Sequence, residues 1–227
     1  MLLALLLATQ VAAETSRGPA DLGPVPADAV RVFLIRHGQA FSNLDPAPKL
    51  PPDQLDRLTD LGHTQSRRAG EALRRVRLER ILTSPAGRAR QTARDLGTLL
   101  GLPVDEEPRL RPLELGQAPA GHADAWDWRI AQWEAGQDPT PPGGESMQDM
   151  GRRVLDLVQS LATRPGRSLV LVAHSEVIGA FAGELLGVPP AQRWPPTVPN
   201  ASITVVEARA GERPRVLLSS HVPAPPR

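Results

Sequence analysis

The sequence predicts an α/β fold, a three-layer α/β/α sandwich with a largely parallel central sheet. Short apolar, β-branched runs alternate with longer stretches of helical periodicity, an order typical of a parallel sheet covered by helices. The run Leu169–Ala173 is apolar without interruption, as expected for a central strand covered on both faces. With 227 residues, of which 41% are hydrophobic and 22% charged, the chain is long enough to form one globular domain.

Strands and helices alternate along most of the chain. Five strands are predicted: Val30–Ile35, Arg80–Thr83, Leu169–Ala173, Ile203–Ala208 and Val216–Ser219. Four helices are predicted. Apolar residues at helical spacing indicate Leu58–Val76, Ala86–Leu100 and Ser146–Ala162, and a fourth helix, Glu176–Leu186, follows directly on the third strand. Ser84 is predicted to cap the second helix, and Ser146 the third. Residues 103–144 interrupt the alternation and are interpreted as an inserted loop and helix region, so we expect a single domain over residues 30–222.

Residues 1–13 are apolar and end in small side chains before Glu14, which indicates a secretory signal peptide, although no Lys or Arg precedes the apolar stretch. A misplaced start codon or a short unstructured extension is the alternative. The stretch is too short to span a bilayer, which takes about 20 apolar residues. Residues 14–29 are interpreted as a linker into the domain. A signal peptide predicts a periplasmic or secreted protein; without one, the protein is expected to be cytoplasmic.

Composition excludes several classes of site and partner. The chain has no cysteine, and therefore no thiolate nucleophile, disulfide or cysteine-based metal site. A formal net charge of +1 gives no reason to expect nucleic acid or an anionic membrane as a partner. His63, His122 and His221 show no metal-ligand spacing with one another, so no bound metal is predicted.

Charged and titratable side chains lie at the carboxyl ends of three predicted strands. Arg36 and His37 close the first strand, Ser84 and Arg88 follow the second, and His174 follows the third. Ligands of open α/β sheets bind at this edge. Taken alone, each arginine could also be a solvated surface residue, and each histidine could be structural. Arginine in a first helical turn opposes the helix dipole at a cost of about 0.3–1 kcal/mol, whereas an anion held there would reverse this effect.

These segments resemble the histidine phosphatase superfamily, also called phosphoglycerate mutase-like, over about residues 30–207. The motifs that carry the resemblance are Arg36-His37-Gly38 with Asn43, Leu58-Thr59-x-x-Gly62-x-x-Gln65, Ser84-Pro85-x-x-Arg88-x-x-Gln91-Thr92-Ala93, Gly143-Gly144-Glu145-Ser146 and the strand-terminal His174. The pattern is similar to the mutase and small-phosphatase branch. The acid phosphatase and phytase branch usually has His-Asp at the second histidine, which this chain lacks.

The resemblance implies a catalytic role for His37 as the nucleophile that attacks phosphorus as a neutral imidazole. The side chains implied to bind the substrate phosphate are Arg36, Asn43, Arg88 and His174. Neighbouring positive charges and a second histidine are expected to lower the pKa of His37. The same charges would stabilise a metaphosphate-like transition state, so neither a metal nor a cofactor is expected.

Several carboxylates are candidates for the acid that protonates the leaving oxygen. Family members often place a glutamate four residues before a glycine, and here Pro112 occupies that position ahead of Gly116. Glu114, the nearest carboxylate, is the predicted catalytic acid. Glu145 is the second candidate, followed by Glu106 and Glu107. The alternative for Glu114 is a loop carboxylate in solvent.

The sequence therefore predicts a metal-independent phosphatase that hydrolyses small phosphomonoesters through a phosphohistidine intermediate. Hydrolysis is preferred over phosphoglycerate mutase-type transfer because a mutase must shield phosphohistidine from water, and the segment between Glu114 and His174 is short for that purpose. A non-catalytic phospholigand-binding module is the third possibility. The presence of His37, His174, Arg36 and Arg88 argues against this third possibility, because loss of catalysis would usually be accompanied by loss of one of them. The sequence identifies neither the natural substrate nor the oligomeric state.

Overall fold

The computed structural model describes residues 18–196 and 198–224. The predicted signal peptide, residues 1–13, and the first part of the predicted linker lie outside the described residues, so both stay predictions. Within the described part of the chain, no helix combines the length and the apolar character that a membrane crossing requires.

A central sheet of six strands has the order β3-β2-β4-β1-β5-β6. The strands are β1 Val30–Arg36, β2 Ile81–Thr83, β3 Val104–Glu106, β4 Arg167–Ala173, β5 Ile203–Ala208 and β6 Arg215–His221. β1 pairs in parallel with β4, which pairs in parallel with β2, and β2 with β3. β5 pairs antiparallel with β1 on one side and with β6 on the other. The predicted α/β class with a largely parallel sheet is confirmed.

Six α-helices are found among the described residues. They are α1 Pro52–Leu55, α2 Asp60–Leu73, α3 Gly87–Leu100, α4 Ala125–Glu134, α5 Met147–Ala162 and α6 Ser175–Leu186. All four predicted helices are present. Ser146 caps α5 as predicted, because its Oγ accepts from the backbone N–H of Asp149 at 3.0 Å while the Asp149 carboxylate accepts from the Ser146 N–H at 3.2 Å.

Helices cover the sheet on both faces. On one face, Leu34 of β1 and Leu171 of β4 pack in a buried cluster with α5 and α6, whose core residues include Val154 and Phe181. On the other face, alternate residues of the same strands pack against α2 and α3; the members of this second cluster include Phe33, Val170, Leu73 and Leu96. Burial of side chains on both faces explains the uninterrupted apolar sequence of the central strands.

The inserted region departs from the sequence prediction in one respect. It contains β3, an edge strand that pairs in parallel with β2 and whose three residues are all exposed. A strand of this length without buried residues leaves no apolar pattern in the sequence. The helix of this region, α4, brings Trp126 and Trp133 against Trp194, with ring centroids 4.9 and 5.0 Å from that of Trp194. These three indole rings therefore pack α4 against the segment that contains Trp194.

Two glycines bring the loop after β1 against the start of α2. A Cβ atom on Gly38 would lie 2.3 Å from the carbonyl oxygen of Gly62, and one on Gly62 would lie 2.0 Å from the carbonyl oxygen of Gln39. Neither backbone could accept a side chain without moving. This contact fixes the path of the chain immediately after His37.

Gly62→Ala is expected to lower the free energy of unfolding by about 1–3 kcal/mol, because the added methyl group forces two packed backbone segments apart. Thermal or denaturant unfolding of the variant measures this loss. Leu61→Ala is the control on the same helix, since the Leu61 side chain is 48% exposed. Equal stability of Gly62→Ala and wild type would contradict the close approach.

Candidate active site

The carboxyl ends of β1, β4 and β2 bring His37, His174 and Ser84 together at one edge of the sheet. The backbone N–H of His37 donates to the carbonyl of Ala173 at 2.9 Å, and that of Ser84 donates to Val172 at 3.0 Å. The ring centroids of His37 and His174 are 5.2 Å apart. His174 Nε2 lies 2.7 Å from Ser84 Oγ. The predicted convergence of three strand ends is present.

The hydrogen bonds of His37 define its tautomer. Nδ1 lies 2.7 Å from the carbonyl oxygen of Gly38, which can only accept, so Nδ1 carries the proton. Nε2 accepts a hydrogen bond from Arg88 Nε at 3.1 Å. The lone pair of a neutral imidazole therefore lies at Nε2, directed at the guanidinium group of Arg88.

Both histidines of the site have strongly lowered pKa values. Burial is the main reason that the pKa of His37 lies well below its usual value, and the charges of Arg88 and Arg36 add to it, although the hydrogen bond to Gly38 opposes the shift. Burial likewise lowers the pKa of His174, with further contributions from His37 and several arginines. Both imidazoles are consequently neutral near pH 7, the form that a nitrogen nucleophile requires.

Two buried nitrogen atoms at this edge have no hydrogen-bond partner among the described residues. They are Nε of Arg36 and Nδ1 of His174. Arg36 is held instead by Nη1, which donates to the carbonyl of Val198 at 2.6 Å. An unsatisfied buried polar group costs about 1–3 kcal/mol. An anionic ligand that accepts from Arg36 Nε, and from His174 Nδ1 in the tautomer that carries its proton there, would remove this cost.

An anion does lie at the start of α3, and it belongs to the protein. The Asp56 carboxylate accepts from the backbone N–H of Gly87 at 2.6 Å and from Arg88 Nη1 at 2.5 Å. The sequence prediction that Ser84 caps this helix is wrong. Helix α3 begins at Gly87, and the hydroxyl group of Ser84 bonds to His174 and to the N–H of Ala86 instead.

Asn43 and Asn200 lie beside the backbone of His37. Asn43 Oδ1 accepts from the N–H of Ala40 at 3.0 Å and from Asn200 Nδ2 at 3.4 Å. Asn200 Nδ2 also donates to the carbonyl of His37 at 3.1 Å. The oxygen of Asn43 thus stabilises its own loop, and the predicted contact with a ligand falls to its amide nitrogen.

Three polar side chains of the sequence motifs brace the loops around His37. Gln65 Oε1 accepts from the N–H of Gln39 at 2.8 Å. Thr92 Oγ1 accepts from the N–H of Gly38 at 3.0 Å. Gln91 does the same for the segment before α2, because its Oε1 accepts from Leu58 N–H at 2.7 Å. These residues hold backbone in place.

Comparison with known proteins defines the family. The sequence profile described as histidine phosphatase superfamily (branch 1) matches residues 32–220. The chain belongs to the histidine phosphatase superfamily.

Relatives of this superfamily member include enzymes with two kinds of name. A probable phosphoglycerate mutase of Yersinia enterocolitica is 31% identical, over 78% of this chain and 85% of its own length. A mycobacterial glucosyl-3-phosphoglycerate phosphatase structure is 32% identical, covers 85% of this chain and 99% of its own, and has a TM-score of 0.65. The Bacillus stearothermophilus protein YhfR is 26% identical, with a TM-score of 0.69 and coverage of 85% and 98%. The phosphoglycerate mutase-like fold is thereby confirmed.

The two carboxylates predicted as proton donors in this histidine phosphatase superfamily member are both ion-paired. Glu114 is exposed, and its carboxylate bonds to Arg111 at 2.8 and 3.2 Å. That pairing lowers the pKa of Glu114, whereas a proton donor benefits from a raised pKa. Glu145 is buried and accepts from Arg153 at 2.8 and 2.7 Å. The choice of Glu114 as the acid stays a prediction, and these contacts do not favour it.

A third carboxylate, at the start of the last predicted helix, interacts electrostatically with Arg36. Glu176 is half-buried in the first turn of α6, two residues after His174. Its charge raises the pKa of Arg36, against the larger lowering caused by burial. Among the described residues its side chain is assigned no hydrogen bond or ion pair, which distinguishes it from Glu114 and Glu145.

Proposed function

We propose that the protein is a metal-independent phosphatase that hydrolyses small phosphomonoesters through a phosphohistidine at His37. The observation that carries this proposal is the buried, neutral His37, whose Nε2 lone pair meets Arg88 Nε at 3.1 Å. The unpartnered buried nitrogens of Arg36 and His174 support it, because they supply donors for phosphoryl oxygens at the same edge of the sheet.

The reaction has two steps. Arg36, Arg88 and His174 bind the phosphoryl oxygens, and His37 Nε2 forms a bond to phosphorus as the ester P–O bond breaks. The leaving oxygen takes a proton from a carboxylic acid, for which Glu114 is the proposed residue. Water then gives a proton back to the same carboxylate and attacks phosphorus. The P–N bond breaks with its electron pair returning to Nε2, and inorganic phosphate leaves. The positive side chains stabilise the charge of both transition states.

Phosphoglycerate mutase activity is the second candidate, because some relatives carry that name. Support for hydrolysis comes from the segment between Glu114 and His174. One of its two α-helices, α5, is committed to the core, which leaves α4 and loops to exclude water from a phosphohistidine. The proposed substrates are small phosphorylated molecules, and phosphoglycerate and glucosyl-3-phosphoglycerate are the first to test.

The test is hydrolysis of p-nitrophenyl phosphate and of a panel of phosphoglycerates, with and without EDTA, and acid–base stability of any labelled phosphoenzyme. We expect turnover unaffected by EDTA and a phosphoenzyme that is labile in acid and stable in alkali. Loss of turnover with EDTA would contradict metal-free catalysis. Interconversion of phosphoglycerates without release of phosphate would establish a mutase, and phosphate binding without either reaction would establish a binding module.

The proposed proton donor predicts a dependence on the leaving group. Glu114→Gln is expected to lower kcat about 10²-fold for an alkyl phosphate and little for p-nitrophenyl phosphate, whose phenolate leaves without protonation. Glu145→Gln and Glu176→Gln are assayed in parallel. An unchanged alkyl phosphatase activity in Glu114→Gln would rule out Glu114, and loss in Glu176→Gln would assign the role to Glu176.

A further inference from the structure

We propose that Asp56 is a positioning residue that holds the guanidinium of Arg88 in the orientation required to bind a phosphoryl group beside His37. This inference rests on the proposed function. It comes from a carboxylate that lies outside the sequence motifs recognised in the chain. Asp56 is in the loop after α1, and Arg88 is the second residue of α3.

The carboxylate of Asp56 is fixed at the start of α3. One oxygen accepts from the N–H of Gly87 at 2.6 Å, and the other from Arg88 Nη1 at 2.5 Å and the N–H of Arg88 at 3.4 Å. Negative charge is stabilised at a helix N-terminus. A Cβ atom on Gly87 would lie 2.8 Å from the Asp56 carbonyl oxygen and 3.0 Å from its Oδ2, so glycine at this position permits the approach.

The contact with Asp56 determines which edge of Arg88 remains for a ligand. The guanidinium is planar, with its donors in a fixed arrangement. Nη1 is committed to Asp56, and Nε points at His37 Nε2 at 3.1 Å. Nη2 is assigned no hydrogen bond among the described residues. The edge formed by Nε and Nη2 therefore faces the nucleophile, in the two-donor geometry that binds phosphate oxygens.

Attack on phosphorus requires Arg88 Nε to leave the lone pair of His37 and move to a phosphoryl oxygen. With Nη1 held by Asp56, this change is a small rotation about a fixed point. Without Asp56 the long side chain has no anchor at that end, so fewer bound complexes have the reactive geometry. A misplacement of about 1 Å can cost about 10²-fold in rate.

Asp56 also offsets part of the positive charge of Arg88. The side chain of Arg88 is 19% exposed and that of Asp56 is 32% exposed, so solvent screens their interaction incompletely. Removing the carboxylate increases the net positive charge next to the phosphate site. Ground-state binding of phosphate should then strengthen while catalysis weakens. A residue with a purely structural role would instead weaken both.

The experiment compares Asp56→Asn with wild type in kcat and in the dissociation constant of inorganic phosphate, measured by calorimetry. Asparagine keeps an acceptor for the N–H of Gly87 but loses the charge. We expect kcat to fall about 10-fold or more and phosphate to bind about threefold more tightly. The proposal is overturned if kcat and the dissociation constant of phosphate in Asp56→Asn both stay within twofold of wild type. It is also overturned if the variant binds phosphate more weakly and has a lower melting temperature.

Asp53→Asn is the matched control. Asp53 lies in the same segment, and its exposed carboxylate is 3.5 Å from Arg57. We expect this variant to match wild type in both measurements. If the wild-type protein binds phosphate but turns over no substrate, the proposed function fails, yet the phosphate affinities of the variants still test Asp56. If the wild type is active and Asp56→Asn matches it, only the role of Asp56 fails.

Discussion

His37→Ala is expected to lower kcat for phosphomonoester hydrolysis by on the order of 10⁴-fold or more, because it removes the atom that forms the covalent intermediate. The site offers no ready replacement. The neighbouring imidazole of His174 bonds to Ser84 through Nε2 at 2.7 Å and is wholly buried. Activity that remains would come from bound water attacking a substrate still held by Arg36 and Arg88.

The measurement is steady-state hydrolysis of p-nitrophenyl phosphate, together with trapping of labelled phosphoenzyme by rapid quench. His63→Ala is the control, since His63 pairs with Asp95 at 2.8 Å and is partly exposed. Melting temperatures of both variants show whether the fold persists. A labelled phosphoenzyme in His37→Ala, or a rate equal to that of wild type, would show that His37 is not the nucleophile.

The sequence was sufficient to predict those strands and helices whose burial is reflected in their own amino-acid composition. β1 and β4 are covered on both faces, so they are continuous apolar runs, and α5 combines an apolar stripe with a capping box. β3 has neither feature. It forms a strand by pairing with β2, and because its three residues are exposed, no alternation of apolar and polar side chains marks it in the sequence.

The site shows the same division between local and tertiary information. Arg36, His37 and His174 could be identified as neighbours because a parallel sheet places the ends of its strands at one edge. Asp56 and Asn200 come from loops whose approach depends on packing. The sequence indicated that an anion at the start of α3 would offset the unfavourable position of Arg88, but it could not show that Asp56 supplies one.

The candidate acids were ambiguous for a related reason. Glu114 and Glu145 lie near the expected place in the chain, but their chemistry depends on which arginines fold against them. Arg111 and Arg153 pair with these carboxylates in the structure, and no spacing rule separates a paired carboxylate from a free one. Glu176 lies two residues after His174, in the first turn of α6, where an acidic residue is already explained by the helix dipole.

Arg88→Gln is expected to lower kcat/KM by about 10²–10³-fold, the loss typical of one preorganised donor to a developing charge. A second consequence follows for pH dependence. Burial is the main cause of the lowered pKa of His37, and the charge of Arg88 comes next. Removal of that charge, with the Asp56 carboxylate left in place, raises the pKa of His37. Because neutral His37 is the reactive form, the acidic limb of kcat/KM should move to higher pH.

The measurement is a pH profile of kcat/KM, with Arg90→Gln as the control, since exposed Arg90 pairs with Glu106 at 3.0 Å. An acidic limb that stays in place or moves to lower pH would contradict the role of Arg88.

The double variant Asp56→Asn/Arg88→Gln tests whether Asp56 acts through Arg88. Because Asp56 is proposed to act through Arg88, its substitution should cost little further kcat once Arg88 is gone, whereas independent roles would give multiplicative losses.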